Sequence, residues 1–204
     1  MKRYCLYLFI LIGISCSAEL KAQKNGTIYK GNDPAVRYTG RTLVSPDGSV
    51  AFDWVGTYLE TRFTGGKLSV KVSETGTSYY NVFVDGKLHK VVKVCGTDTL
   101  IHLVSGIDKR IHSLKIQKRS EGEFGKTTVH QFVLSGSGRL AEEPAVRTRH
   151  IEFIGNSLTC GYGTDGKHRD EPFLVETENC NLTFASMVAR YYDADYTLIA
   201  HSGR

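Results

Sequence analysis

The chain has 204 residues, of which 41% are hydrophobic and 23% charged. That is long and apolar enough for packed cores, which excludes a disordered or fibrous class. The formal net charge is +5, but Lys67, Lys71, Lys87, Lys90, Lys93, Lys109 and Arg110 fall on alternating strand positions. They form a solvated sheet face rather than a stripe that tracks phosphates, so no nucleic-acid partner is expected.

Residues 1–22 read as a secretory signal peptide. Lys2 and Arg3 are the positive start, residues 4–14 are apolar but too short to span a bilayer comfortably, and cleavage is expected after Ala22. Cys16 offers a second route, lipid attachment, although the segment Gly13-Ile14-Ser15-Cys16 lacks the usual Leu. No later run is apolar and long enough for a transmembrane segment. The expected location is therefore secreted or periplasmic, with lipid anchoring through Cys16 as the alternative. Of the five cysteines, Cys95, Cys160 and Cys180 lie beyond the leader. An odd count allows at most one bridge. A Cys160–Cys180 bridge and two separately buried thiols both fit. There is no Cys/His cluster at zinc spacing, and no metal is expected.

Residues 24–140 predict an all-β sandwich. Strands are expected at 51–55, 57–63, 67–73, 79–84, 87–94, 99–104, 111–118 and 128–134, with apolar and polar residues alternating. Asp85-Gly86 is the signature of a type I′ hairpin turn. Ser135-Gly136-Ser137-Gly138 and then Ala141 to Pro144 mark a linker and domain boundary. Residues 148–204 change period. A strand at 151–154, a helix from Asn179 with Leu182, Ala185, Ser186, Ala189 and Tyr192 on one face, and a strand at 196–200 predict one βαβ unit with a parallel pair. Asn179 or Asn181 is the expected helix cap. About 55 residues are too few for a three-layer α/β domain, so the second domain reads as incomplete.

Residues 149–163 read RHIEFIGNSLTCGYG. Ser157 follows a short apolar strand and precedes the turn Gly161-Tyr162-Gly163. Open α/β sheets place their reactive groups there, outside the carboxyl ends of the strands. Nearby backbone N–H groups are free to bind an oxyanion. A helix N-cap fits the same position. The segment is not the G-x-S-x-G elbow.

The run FIGNSLTCGYGT resembles the first sequence block of SGNH (GDSL-type) hydrolases, in the version found in family 2 carbohydrate esterases. LIAHSGR, residues 198–204, resembles their second block. The resemblance is specific over 151–163, looser over 178–204 and architectural before 145. It implies a jelly-roll-type sandwich followed by the first βαβ part of an α/β/α SGNH domain. It also implies an exported esterase that removes O-acetyl groups from plant-type polysaccharides such as xylan or mannan, with no cofactor. Ser157 would be the nucleophile, and the N–H groups of Ser157 and Gly203 the oxyanion donors. Asn156 stands where the family has Asp, and keeps the acceptor oxygen. The family's third block, with an oxyanion Asn, and its last, with the catalytic His, would lie beyond Arg204. The 204-residue chain alone is therefore expected to be inactive and to expose apolar faces after Arg149.

His201, at the end of the last strand, is the candidate base within the chain. His89, His102, His112 and His130 read as surface or edge residues, His150 precedes a strand, and His168 sits in a loop. Trp54, Tyr58, Tyr79 and Tyr80 fit either a sugar-stacking platform or a sandwich core. Glu176 and Glu178 read as a charged helix start rather than a glycosidase pair. The alternative function is a non-catalytic carbohydrate-binding sandwich that carries an incomplete hydrolase domain. Its partner, as for the esterase, is an acetylated polysaccharide or oligosaccharide.

Overall fold

The computed structural model describes residues 26–142 and 144–204, so the leader and Cys16 lie outside the described residues. The strands are β1 (Thr27–Lys30), β2 (Val36–Thr39), β3 (Leu43–Val44), β4 (Val50–Phe52), β5 (Tyr58–Val84), β6 (Lys87–Lys118), β7 (Thr127–Ser135) and β8 (Arg139–Leu140). Then come β9 (His150–Gly155), the one-turn helix α1 (Ser157–Cys160), α2 (Phe184–Tyr191) and β10 (Asp195–Ala200). No helix among the described residues is long and apolar enough to cross a membrane.

The first eight strands form one antiparallel, curled sheet. Six of the expected short strands are fused into two long ones. β5 and β6 pair over 58–64 with 111–117, over 66–72 with 99–107, and over 77–84 with 87–95. Residues 114–118 also pair with 80–84, so the ribbon curls back beside itself. Register shifts fall at Gly65-Gly66 and on either side of Gly76, as well as over 79–84 where β5 meets two stretches of β6; such bulges let a strand bend sharply without ending. The alternation expected from the sequence holds on the curl. Leu68, Val70 and Val72 point into a core that Phe63, Phe132 and Leu134 help to fill. The Asp85-Gly86 turn has positive φ at both residues, 50° and 74°, as a type I′ hairpin requires.

The first half of the expected linker belongs to the sheet. β8 pairs with Phe63 and Thr64, and Leu140 joins the core at 8% exposure. Beyond it, β9 and β10 form a parallel pair, with His150 opposite Asp195 and Gly155 opposite Ala200. The helix between them is shorter than the sequence pattern. Its buried residues are Ala185, Ser186 and Ala189, whereas Leu182 and Tyr192 are exposed. Asn179 caps a preceding single turn, Cys180–Leu182, rather than α2 itself.

This strand–helix–strand unit packs on the curled sheet through a second core. Val55 and Tyr58 meet Cys160, Cys180, Ala185, Ala189, Tyr196, Leu198 and Ala200 there. The approach is close at Gly56, which has φ +74°. A Cβ there would lie 2.6 Å from Leu198 Cδ1. The other side of the unit stays open, with Ile154 at 81% and Tyr191 at 82% exposure.

One histidine departs from the sequence expectation. His112 is no surface residue. It is 3% exposed and sits between Asp85 (Nδ1 to Oδ2, 2.7 Å) and Asp108 (Nε2 to Oδ1, 3.0 Å). The Asp85 hydrogen bond, then Asp108, push its pKa up against the effect of burial. Of the aromatic residues Trp54, Tyr58, Tyr79 and Tyr80, Tyr58 and Tyr80 take the core alternative, and Trp54 lies under the Arg41 guanidinium. Tyr80 is buried in the first core and Tyr58 in the second, while Tyr79 donates to Glu176 at 3.2 Å.

Candidate active site

β9 ends at Gly155, and the extended Asn156 (φ −119°, ψ −151°) turns the chain into α1. Asn156 is the N-cap: its side chain accepts from Leu158 N at 3.1 Å. The cap role weighed for Ser157 therefore falls to its neighbour. Ser157 is the first helical residue and is half-buried. Its carbonyl accepts from Gly161 N (2.9 Å) and Tyr162 N (3.1 Å). Among the described residues, no imidazole hydrogen-bonds its hydroxyl. Gly161, with φ +84°, ends the turn. Tyr162 then stacks on Phe173 with ring centroids 3.6 Å apart, and Phe173 meets Phe124 of the sheet domain.

Because β9 and β10 are parallel, the chain beyond Ala200 emerges at the same edge as Ser157. His201 N donates to Gly155 O at 3.3 Å, and the turn continues to the exposed Gly203, φ +78°. The parallel pair thus brings Ser157 and Gly203 to one edge, each within three residues of the paired Gly155 and Ala200. The His201 ring contacts its neighbour and two glutamates. Its Nδ1 is 2.6 Å from Ser202 O and 4.0 Å from Glu121, and its Nε2 is 3.9 Å from Glu123.

Beneath this edge lies a buried acidic cluster. Glu121 and Glu178 are 1% and 0% exposed. Glu121 N donates to Glu178 Oε2 at 3.0 Å. Glu121 Oε2 accepts from Ser202 N at 2.8 Å and from Cys160 Sγ at 3.5 Å. Burial, and then the neighbouring Glu121 charge against the Glu121 N–H bond, push Glu178 up to about 8. Glu178 is therefore not a solvated helix start, and Glu176, which is exposed, makes no pair with it. Arg119 braces the neighbouring loop through Glu178 O (2.7 Å), Glu176 O (2.9 Å) and Asp165. Cys160 and Cys180 are both free and buried, and burial raises both thiols. Glu121, Cys160 and Glu178 bring their ligand atoms within 4.8 Å of one another. Burial holds the Cys160 thiol and Glu178 toward their neutral forms, and the group is joined by the Glu121 N–H and Cys160 Sγ hydrogen bonds. Sequence reasoning missed Glu121 because Arg119-Ser120-Glu121-Gly122-Glu123 has the composition of a solvated turn.

The model of a family described as carbohydrate esterase 2 N-terminal matches residues 38–144. The chain is 33% identical over 172 residues to a cellulase/esterase, CelE, of Acetivibrio thermocellus, covering 84% of this chain and 21% of that protein. It is 27% identical over 174 residues to an acetylxylan esterase/glucomannan deacetylase of Cellvibrio japonicus, covering 85% and 48%. The chain thus spans less than half the length of either relative. A family two carbohydrate esterase from Clostridium thermocellum, solved in complex with cellohexaose, superposes with a TM-score of 0.79 at 33% identity, covering 82% of this chain and 51% of that one. The match over residues 38–144, on a curled β domain of the same kind, shows that this chain belongs to carbohydrate esterase family 2 and carries its N-terminal part.

Proposed function

We propose that the protein is an exported carbohydrate esterase that removes O-acetyl groups from xylan- or mannan-type polysaccharides by serine acyl transfer. The β domain is read as jelly-roll-type, and residues 148–204 as the opening of an SGNH α/β/α domain. The observation that carries the reading is the position of Ser157, first in the helix that follows β9, at the carboxyl edge of a parallel pair. Ser157 Oγ attacks the acetyl carbonyl carbon and gives its proton to an imidazole base. The N–H groups of Ser157 and Gly203 hold the developing oxyanion. The sugar oxygen leaves with that proton. Water then cleaves the acetyl-serine ester, releasing acetate and restoring the hydroxyl. These steps use no metal or organic cofactor.

A second reading, a carbohydrate-binding sandwich without catalysis, is favoured by the lack of an imidazole on Ser157 among the described residues. Acetate release from acetylated xylan and glucomannan separates the two. The complete gene product should turn over, and Ser157→Ala should lower kcat by about 10³-fold or more, as nucleophile removal does in serine hydrolases. Binding without acetate release, or turnover that survives Ser157→Ala, contradicts the esterase mechanism.

A further inference from the structure

We infer that Glu121, a residue of the β domain, is a positioning residue that fixes the Ser202–Gly203 turn against the Ser157 helix. The inference rests on the esterase reading of those two residues. One carboxylate oxygen makes the link. Glu121 Oε2 accepts from Ser202 N at 2.8 Å, beside the proposed oxyanion donor Gly203. The same oxygen accepts from Cys160 Sγ at 3.5 Å, on the last residue of the turn that Ser157 begins.

Glu121 is itself held rigidly. Its N–H donates to Glu178 Oε2, and Glu178 O is held by Arg119 Nε. At 1% exposure, its side chain is shielded from bulk water, which does not compete for the Oε2 contacts. A donor preorganised where negative charge develops is worth most when it need not move during the reaction. A displacement of about 1 Å at such a site can cost on the order of 10²-fold in rate. Glu121 Oε2 is engaged by Ser202 N–H and Cys160 Sγ, and burial pushes the neighbouring Glu178 toward its neutral form. The charged and titratable groups around the pair are Lys118 and Arg119 at the end of β6 and just beyond it, Cys160 of α1, Cys180, and His201 with Glu123 at the rim. The β domain then supplies part of the site's alignment rather than only a support.

The test is made on the complete gene product with Glu121→Ala, Glu121→Asp and Glu121→Gln, with Ser157→Ala as control. Two readouts are taken: acetyl-ester kinetics and amide hydrogen exchange at Ser202. Glu121→Ala should lower kcat by about 10- to 100-fold with KM changed less than about twofold. It should speed Ser202 exchange at least about tenfold while Leu134 in the sheet core is unchanged. Glu121→Gln keeps an acceptor oxygen at the same reach and should restore most of both. Glu121→Asp keeps the charge but retracts the oxygen by one methylene, so it should show the loss. It carries the test if the alanine variant does not fold. Unchanged kcat or unchanged Ser202 exchange in the folded Ala or Asp variant overturns the inference, as does a kcat loss that Gln does not restore. If Ser157→Ala stays active, the esterase reading fails, while Ser202 exchange still decides whether Glu121 holds the turn.

Discussion

The two cores of this molecule are built from different materials. Inside the curled sheet, Phe63, Leu68, Val82, Phe132 and Leu134 pack side by side. At the seam with the strand–helix–strand unit, three alanines, two cysteines, Val55, Leu198 and the rings of Tyr58 and Tyr196 are framed by buried polar groups. Asp195 meets Tyr58 (2.7 Å), Arg37 (2.8 Å) and Arg147 (2.8 Å) at one end. Gln117 bonds Tyr196, and Asn81 bonds Asn179, in the middle. Glu121 and Glu178 close the other end, beneath the candidate site. Apolar packing stabilises without regard to direction. Hydrogen-bonded polar groups in a dry seam add little net stability but hold two bodies in one register. The difference teaches that the first core makes the domain, while the second sets where the edge carrying Ser157 sits.

The largest effect is expected at Asp195. Burial opposes its ionisation, but hydrogen bonds from Tyr58, Arg37 and Arg147 hold it below the ordinary carboxylate value. Asp195→Ala would leave Arg37 with Glu60, Arg147 with Glu60 and Asp193, and the buried Tyr58 hydroxyl without its acceptor, and should cost about 1–3 kcal/mol in denaturant titrations. If the two cores differ as described, amide protection should fall at Ala189 and persist at Phe132. Equal loss at both would make them one cooperative unit and break the comparison.

A medium effect, in pH, sharpens it. Glu178 stays protonated in the fold up to about 8, while an unfolded Glu releases its proton at about 4.3. Between those values the folded chain binds the extra proton, so stability falls as pH rises through that window. Glu178→Gln is neutral throughout and should flatten that slope, measured as unfolding free energy against pH. A slope identical to wild type would mean that Glu178 is ionised in the seam.

Legibility in the sequence followed the same division. Period-two alternation and the Asp85-Gly86 turn revealed the sheet, because one-sided burial writes itself into spacing. The fusion of six short strands into β5 and β6 was not legible, since a glycine bend looks like a turn until the partner strand is known. β9, β10 and the place of Ser157 were readable from an apolar run followed by glycines. The seam was not. Glu121, Glu178, Arg119 and Asp195 carry the composition of exposed loops, and only their partners, dozens of residues away, make burial tolerable. His112 was misread for the same reason: Asp85, from the hairpin turn, and Asp108, four residues earlier on β6, satisfy it.

The smallest effect belongs to Asn156. Asp keeps the oxygen that accepts from Leu158 N, so Asn156→Asp should change stability by less than about 0.5 kcal/mol and acetyl-ester kcat by less than about threefold, consistent with a cap role.

If Ser157 is the group that takes the acyl chain, covalent trapping shows it most directly. The complete gene product would be treated with an organophosphonate directed at activated serines, then digested and mapped by mass spectrometry. The predicted result is one adduct, on the peptide carrying Ser157, formed in step with loss of acetyl-ester turnover and absent in Ser157→Ala. Full inactivation with the adduct on another residue, or unmodified Ser157 in inactivated enzyme, would contradict the account.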